Sequence, residues 1–430
     1  MSLAAAVPRV RLRPELWIWL AAGLVHLFFW LSLRTGWMVP LFNDSVHRFG
    51  PGADFFALYQ AGYSALHGDS IFRFGPGETV IPYAYPFRYL PVAAYTIGAL
   101  LSLVPPTAAY VLWLTICEAC LLHNVRLTYR RSGGGLRGAV LGAVWLGFTP
   151  YFLELWIGQF TFLLGSLLFW SVLALEEGRS RTGLGWWIAS VLWKPASLLW
   201  APLFARDRRG WMGLAVCGAL ILLNGVYFLF FPHDWALFVR VNVDPLPQWH
   251  AGNIGLSGLI YQFTGPGPLF KPVRGLLTAL LLLPALWVTL RPVVLRLRAR
   301  CAGAAGRASK ELPGEAPVWL LAALWTCLYF LIYKDVWEHH LTLLLPILVL
   351  GLWRSPSRLL IAVVVLLALP SPFVFYDVPD LGFNQDPQYH FSSAVSLLHH
   401  SWRVVPLAAL YAVWLRQSWR GPAVASTTTA

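Results

Sequence analysis

Charge is what this sequence lacks most. Charged residues fill 12% of its 430 positions, against about 25% in soluble globular domains. That shortfall places most of the chain in lipid. Alternation of apolar and polar residues is missing too, which excludes a membrane β-barrel. Five cysteines, an odd number, sit mostly in apolar segments, which argues against a disulfide framework. Cys117-x-x-Cys120 has redox spacing, but it lies inside an apolar stretch and reads as small packing residues. Glycine-rich phosphate loops, Rossmann glycines and serine nucleophile elbows do not occur. Nor does any nucleic-acid module, so the net charge of +13 is read as loop arginines facing anionic headgroups, not as nucleic-acid binding.

Apolar residues are plentiful: 58% of the chain, with a mean hydropathy of +0.61. The 23 Trp and 16 Tyr suit the two membrane interfaces. About twelve apolar segments meet or approach the length of a crossing helix. They run over 16–33, 89–104, 107–125, 138–153, 160–175, 184–204, 211–231, 275–290, 317–333, 341–353, 358–370 and 402–415. Arg9, Arg11 and Arg13 precede the first, and no small-residue cleavage site follows it, so an uncleaved first helix is expected. The expected fold is an all-α, multi-pass membrane protein forming one domain over 1–430.

Three polar connections, 34–88, 232–274 and 371–401, interrupt the apolar pattern. A fourth, 291–316, holds Arg291, Arg296, Arg298, Arg300, Arg307 and Lys310 and reads as cytoplasmic. Arg206 to Arg209 and Arg354 to Arg358 mark two further cytoplasmic turns. Alternation from these anchors puts the three polar connections and Lys334 to His340 on the outer face, together with more than half of the 19 acidic residues, Glu78, Asp234, Asp244 and Asp377 among them. Arg126, Arg130, Arg131 and Arg137 break the scheme. Either 89–125 crosses an odd number of times, or Lys194-Pro195 breaks its helix into a re-entrant pair.

Asp54 opens a stretch, Asp54 to Gly68, that reads as an amphipathic helix. Phe55, Leu58, Tyr59, Gly62 and Leu66 fall on one side at helical spacing. The helix is too short to cross and is expected to lie in the interface. Asp54 is then either a helix N-cap or a functional carboxylate. Lys194 at membrane depth costs about 2.5–3.5 kcal/mol on insertion scales. It either lines a polar pocket or snorkels from a broken helix. Trp337-Glu338-His339-His340 reads either as an interfacial belt or as a site. Adjacent histidines diverge on a helix, which argues against a metal centre. Glu118 and Glu154 also lie in apolar runs, the latter placed to share a cavity with Gln159.

The Asp54 stretch resembles the DFxxYYxAGxxLLxG opening of glycosyltransferase family 87, within the GT-C superfamily. Tyr85-Pro86-Phe87 resembles the family's YPP, Gly158-Gln159 its GQ, Lys194-Pro195 its KP, Asn253 to Gly258 its NxSLSG and Trp337 to His340 its WxHH. Phe87 replaces a Pro and Gly255 a Ser, and nothing after about 371 matches.

The resemblance implies a GT-C bundle whose first outer loop carries interfacial helices. It also implies an enzyme that transfers a sugar, mannose or arabinofuranose, from a polyprenyl phosphate to a glycolipid or cell-wall glycan. In that family an Asp of the first outer loop is the catalytic base, and Asp54 occupies the matching position. A lone carboxylate suffices for inversion, because it takes the acceptor's proton as the hydroxyl attacks the anomeric carbon. Asp44 and Asp69 share the loop but not the position. The departing phosphate needs cations, for which Lys334, His339, His340, Arg88, Lys194 and Arg240 are candidates. Tyr59, Tyr85, Gln159, Asn253 and Glu338 are expected to line the pocket. The lipid-linked sugar is a substrate, and no cofactor or metal is expected. A nucleotide-sugar donor would call for a soluble binding domain that no segment here could form. The expected location is the plasma membrane, with the site on the extracytoplasmic face and membrane lipids as partners. A secondary transporter or lipid-linked sugar flippase is the alternative, and a non-catalytic relative a third reading.

Overall fold

The structure is a computed structural model that describes residues 13–42, 50–73, 79–82, 86–206, 208–242, 253–265, 267–301, 315–370 and 392–420. Asp44, Glu78, Tyr85, Asp244 and Asp377 lie outside the described residues, as do 371–391 and 302–314. Among the described residues all regular structure is helical.

Helix α1 (Pro14–Thr35) leads into α2 (Ala53–His67). A bent segment, α3 (Pro91–Leu101), contains a π-turn over Ala94–Gly98. It is followed by α4 (Pro106–Arg131), α5 (Gly135–Gly147), α6 (Pro150–Ile157), α7 (Thr161–Glu176) and α8 (Ser180–Trp193). A 3₁₀ turn (Pro195–Trp200) continues into α9 (Ala201–Phe204). Then come α10 (Arg208–Gly225), α11 (Tyr227–Phe230), α12 (Pro232–Asn242), α13 (Leu256–Thr264), α14 (Phe270–Cys301) and α15 (Val318–Ile332). A further 3₁₀ turn (Glu338–Leu343) precedes α16 (Leu345–Arg354), α17 (Arg358–Ala368) and α18 (Ser393–Arg420). Pro14, Pro91, Pro106, Pro150 and Pro232 each open a helix, where a missing N–H costs nothing. A continuous buried apolar cluster extends from Ala22 on α1 to Trp414 on α18.

Four described helices are long and apolar enough to cross a membrane: Pro14–Thr35, Pro106–Arg131, Gly210–Phe230 and Phe270–Arg298. The bent pair Gly135–Gly147 and Pro150–Ile157, at 44°, makes a fifth if it is one span. This differs from the twelve expected segments. Most of the remainder are shorter helices, such as α7 and α15, of about 22–24 Å at 1.5 Å per residue. A hydrocarbon core is about 30 Å thick. Residues Trp319 to Leu331 of α15 are all buried, so protein, not lipid, surrounds it.

Ion pairs gather the basic helix ends at one end of the bundle. Arg131 and Arg179 both bind Glu177, Arg354 binds Glu176, and Arg206 and Arg296 share Glu315. Two departures from simple alternation bring Arg131 and Arg206 to the same end. First, α3 is short and packs along α2. Second, the chain reverses at Lys194. Proline restricts the residue before it to extended geometry, and Lys194 has φ −145° and ψ 110°. The chain then runs back along α8, with the Trp187 indole donating to the Ser197 carbonyl (3.0 Å) and stacking on Phe204. Of the two options left open by the sequence, the broken helix at Lys194 is present.

Helix α2 is not one-sided as its spacing suggested. Phe55 and Leu58 are buried, but so are Phe56, Ala57, Gln60 and Ala61, while Leu66 is exposed. The cause is α3, which covers a further side. Gly62 and Gly98 meet at the crossing, where a Cβ on Gly62 would lie 2.0 Å from the Gly98 carbonyl carbon. Only glycine permits this approach of two backbones. Gly62→Ala is therefore expected to destabilise the protein by about 1–3 kcal/mol. Gly23→Ala, in α1 with open space around the added methyl, should be neutral or slightly stabilising. Paired thermal unfolding in detergent checks this, and equal shifts for the two variants would refute the close crossing.

Candidate active site

The end of α6 places the centre of the site. Gly158 closes α6 in the left-handed conformation, φ 65°. There the Gln159 N–H bonds back to the Glu154 carbonyl (3.0 Å). A Cβ on Gly158 would meet the Phe55 Cβ at 2.5 Å, so the turn sits directly on the first residues of α2. The Gly52 N–H, at the N-cap of α2, donates to the Trp156 carbonyl (2.6 Å). The Tyr110 hydroxyl donates to the carbonyls of Leu155 and Trp156 (2.7 and 2.9 Å). Together these contacts dock the start of α2 onto the end of α6.

Gln159 is buried, and its amide orientation follows from its partners. Its Oε1 accepts from the Phe160 N–H (2.8 Å) and the Tyr89 hydroxyl (2.7 Å). Its Nε2 therefore faces the other way, donating to Asp54 Oδ2 (2.7 Å) and lying 3.4 Å from His339 Nε2. A side-chain amide has two acceptor positions and two donor hydrogens, and all four have partners here. Asp54 stands at the second position of α2, not at its N-cap, which is Gly52. Its carboxylate is committed to Gln159, so the capping reading does not hold.

The 3₁₀ turn after α15 supplies the rest. Successive residues of such a turn point about 120° apart, so each reaches a different element. Glu338 turns to Arg403 on α18. His339 faces Gln159, and His340 faces Lys194, with Nε2 and Nζ 3.5 Å apart. Thr342 donates to the His339 carbonyl (2.8 Å) and contacts the Glu154 carboxyl (3.2 Å), which also accepts from the Phe162 N–H (2.6 Å). The two imidazole centroids are only 4.2 Å apart, closer than the divergence expected of neighbours on an α-helix. His340 Nδ1 accepts from the Trp337 N–H (3.0 Å). That fixes the neutral tautomer with its proton on Nε2, so His340 Nε2–H and the Lys194 ammonium are two donors side by side. Neither can accept from the other, and together they suit an anionic oxygen placed between them.

The charges reinforce this arrangement. Burial raises the Asp54 carboxyl to about 6, against the pull of Arg88 and Lys194. Burial likewise raises Asp335, opposed by a bond to Trp337 and by the charges of Arg88, Lys334 and Lys194. Burial holds His339 and His340 well below the usual imidazole range. A half-buried carboxylate poised near neutrality can take a proton from a hydroxyl, while the paired donors of Lys194 and His340 hold an anion.

Residues 87–310 match the sequence profile of glycosyltransferase family 87. The chain belongs to that family. It is a glycosyltransferase, which decides against the transporter reading. No curated protein matches it. The matched stretch contains Arg88, Gln159, Lys194 and Asn253, whereas Asp54 and the 334–340 segment flank it.

The structure of this glycosyltransferase joins Asp54, Gln159, His339, His340 and Lys194 through the contacts above. Arg88 is exposed but close enough to act on the charges of Asp54, Tyr333 and Asp335. Other expected residues turn elsewhere. The Tyr59 hydroxyl donates to the Val104 carbonyl (2.8 Å), and Lys334 Nζ to the Asn242 carbonyl (3.2 Å). Asn253 staples its loop to 334–336, donating to the Lys334 carbonyl and accepting from Gly255 and Val336 N–H groups. Arg240 on α12 is exposed, and so is Asp69. Glu118 lies apart, bonded to His26 (2.9 Å) and Tyr151 (3.0 Å). Tyr89, Asp335, Thr342 and Arg403 were missed. Only Tyr89 carried a signal, as a polar aromatic next to Arg88.

Asp54 must be ionised to act as a base, so kcat/KM should fall below a pH of about 6. Arg88→Met removes a cation that favours the ionised form, and the acid limb should move to higher pH. Stability runs the other way. The folded pKa lies above the ordinary 3.8, so the contribution of Asp54 to stability is greatest below pH 3.8 and declines as pH rises towards 6. A pH–rate profile of both proteins tests this. An unmoved limb in Arg88→Met would separate that limb from Asp54.

Proposed function

We propose that this glycosyltransferase moves mannose or arabinofuranose from a polyprenyl-phosphate donor to a hydroxyl of a glycolipid or cell-wall glycan, with inversion. The observation that carries the reading is the Asp54 carboxylate, bridged through Gln159 and His339 to the paired donors Lys194 and His340. Asp54 takes the acceptor proton while the acceptor oxygen forms its bond to the anomeric carbon. The bond from that carbon to the phosphate oxygen breaks, and its electron pair leaves with the polyprenyl phosphate. Lys194, His340 Nε2–H and Arg88 offset the charge that develops there. The reaction so written uses no cofactor, metal or nucleic acid.

The chain in this reading is one plasma-membrane domain, with α2 and α12 at the outer interface and about twelve passages counting the broken ones. The clustering of Arg131, Arg206, Arg296 and Arg354 at one end supports a cytoplasmic assignment for that end. The site then faces outward. With Cys301 replaced by Ser, cysteines introduced at the exposed positions Asp69 and Arg358 should label from opposite sides of the membrane. Labelling of both from one side would remove the outer-face site.

The chemistry is tested with purified protein and polyprenyl-phosphate mannose or arabinofuranose. Asp54→Asn keeps the shape and loses the proton acceptor. Turnover should fall by about 10²–10⁴-fold with donor binding largely kept. A folded variant with near-normal transfer would take Asp54 out of the mechanism and favour another base. Wild-type protein inert with both donors would exclude the donor class.

A further inference from the structure

The 3₁₀ turn that carries His339 and His340 also carries Glu338, a carboxylate that the transfer step does not use. Its side chain is 1% exposed, as is that of Arg403. Arg403 lies on α18, outside the stretch that matches the family. One amino group of its guanidinium binds Glu338 Oε1 and the Leu369 carbonyl (2.6 Å), and the other binds the Leu366 carbonyl. Leu366 belongs to the last turn of α17, and Leu369 is its C-cap. Such carbonyls have no partner within their own helix and carry its partial negative charge. A planar fork of donors suits this set of acceptors better than a point charge.

We infer that Arg403 is a positioning residue of the catalytic centre. It neutralises Glu338 and ties the turn to the end of α17, so that an anionic donor meets the donors of His340 and Lys194 without a bare carboxylate beside them. This rests on the phosphate-binding role proposed for that pair. A buried carboxylate that loses its cation remains charged or captures a proton, and either outcome disturbs the turn. At an effective dielectric near 20, an uncompensated unit charge within about 10 Å of any phosphate weakens its binding by roughly tenfold or more.

The experiment uses full-length protein with polyprenyl phosphate as binding probe and polyprenyl-phosphate mannose or arabinofuranose as substrate. Arg403→Met should weaken polyprenyl phosphate binding and raise the donor KM by about tenfold, with a smaller change in kcat. Adding Glu338→Gln removes the bare charge, and the double variant should recover most of the donor affinity. Arg403→Lys keeps the charge while losing the fork. It should bind donor nearly normally but unfold at a lower temperature, and it serves as the test if Arg403→Met does not fold. A double variant as weak as Arg403→Met, or Arg403→Lys with the full loss of donor affinity, would reduce Arg403 to a packing role. If wild-type protein binds polyprenyl phosphate but transfers neither sugar, the proposed reaction fails while the binding comparison still decides the role of Arg403.

Discussion

The hydrogen bond from Gln159 to Asp54 is the contact on which the site depends. It joins α2 to the junction of α6 and α7, two parts of the chain separated by the whole of α3–α5. It is directional because the amide has no freedom left. The Phe160 N–H can only donate, so the oxygen must face it, and the nitrogen must face the carboxylate. Tyr89 completes the oxygen side. A buried network of this kind is stiff when every group is satisfied and costly when one is removed. The same bond leaves Asp54 with one carboxylate oxygen uncommitted to Gln159, as a base requires.

Irregular backbone recurs around the site. The Gly158 turn, the extended Lys194 and the 3₁₀ turn at Glu338–Leu343 all interrupt helices at the same end of the bundle. Such backbone exposes N–H and C=O groups that lipid cannot satisfy, so it survives only where protein or water surrounds it. Burial of His339, His340, Thr342 and Glu154 meets that condition. The breaks also direct side chains. A continuous helix would stack residues on faces set by 100° steps. The 3₁₀ turn sends Glu338, His339 and His340 to α18, Gln159 and Lys194, so one short segment links three parts of the chain.

Charge follows the same division. The basic end of the bundle pairs its arginines with Glu176, Glu177 and Glu315. Around Asp54 the site keeps carboxylate and cations near one another without closing them into a direct ion pair. Asp54 feels Arg88 and Lys194 as field, not as contact. Direct pairing would lower the carboxyl towards the acid range and occupy the ammonium, and neither group could then act on a substrate. Ion pairs at this end lie away from Asp54: Glu338 is held by Arg403, and Asp234 by Arg73.

The sequence by itself determined the class of fold and the family. Apolar content, arginine-rich turns and ordered motifs depend on local composition and spacing, which need no coordinates. Asp54, Gln159, Lys194 and the His pair were legible for the same reason: each sits in a short motif. The orientation of Gln159, the tautomer of His340 and the partner of Glu338 were not legible. Each depends on a group at least 65 residues away or on a backbone N–H whose direction only the fold supplies. The Lys194-Pro195 break that the sequence left open turned one apolar run back on itself, and the short apolar segment of α3 packed on α2 through Gly62 and Gly98. Arg403 carried no signal, because an arginine near the end of an apolar segment reads as a snorkelling side chain. Tertiary structure decided otherwise, since the C-terminal carbonyls of α17 and a buried carboxylate meet it there and nothing in the spacing of residues 338, 366, 369 and 403 implies that they converge.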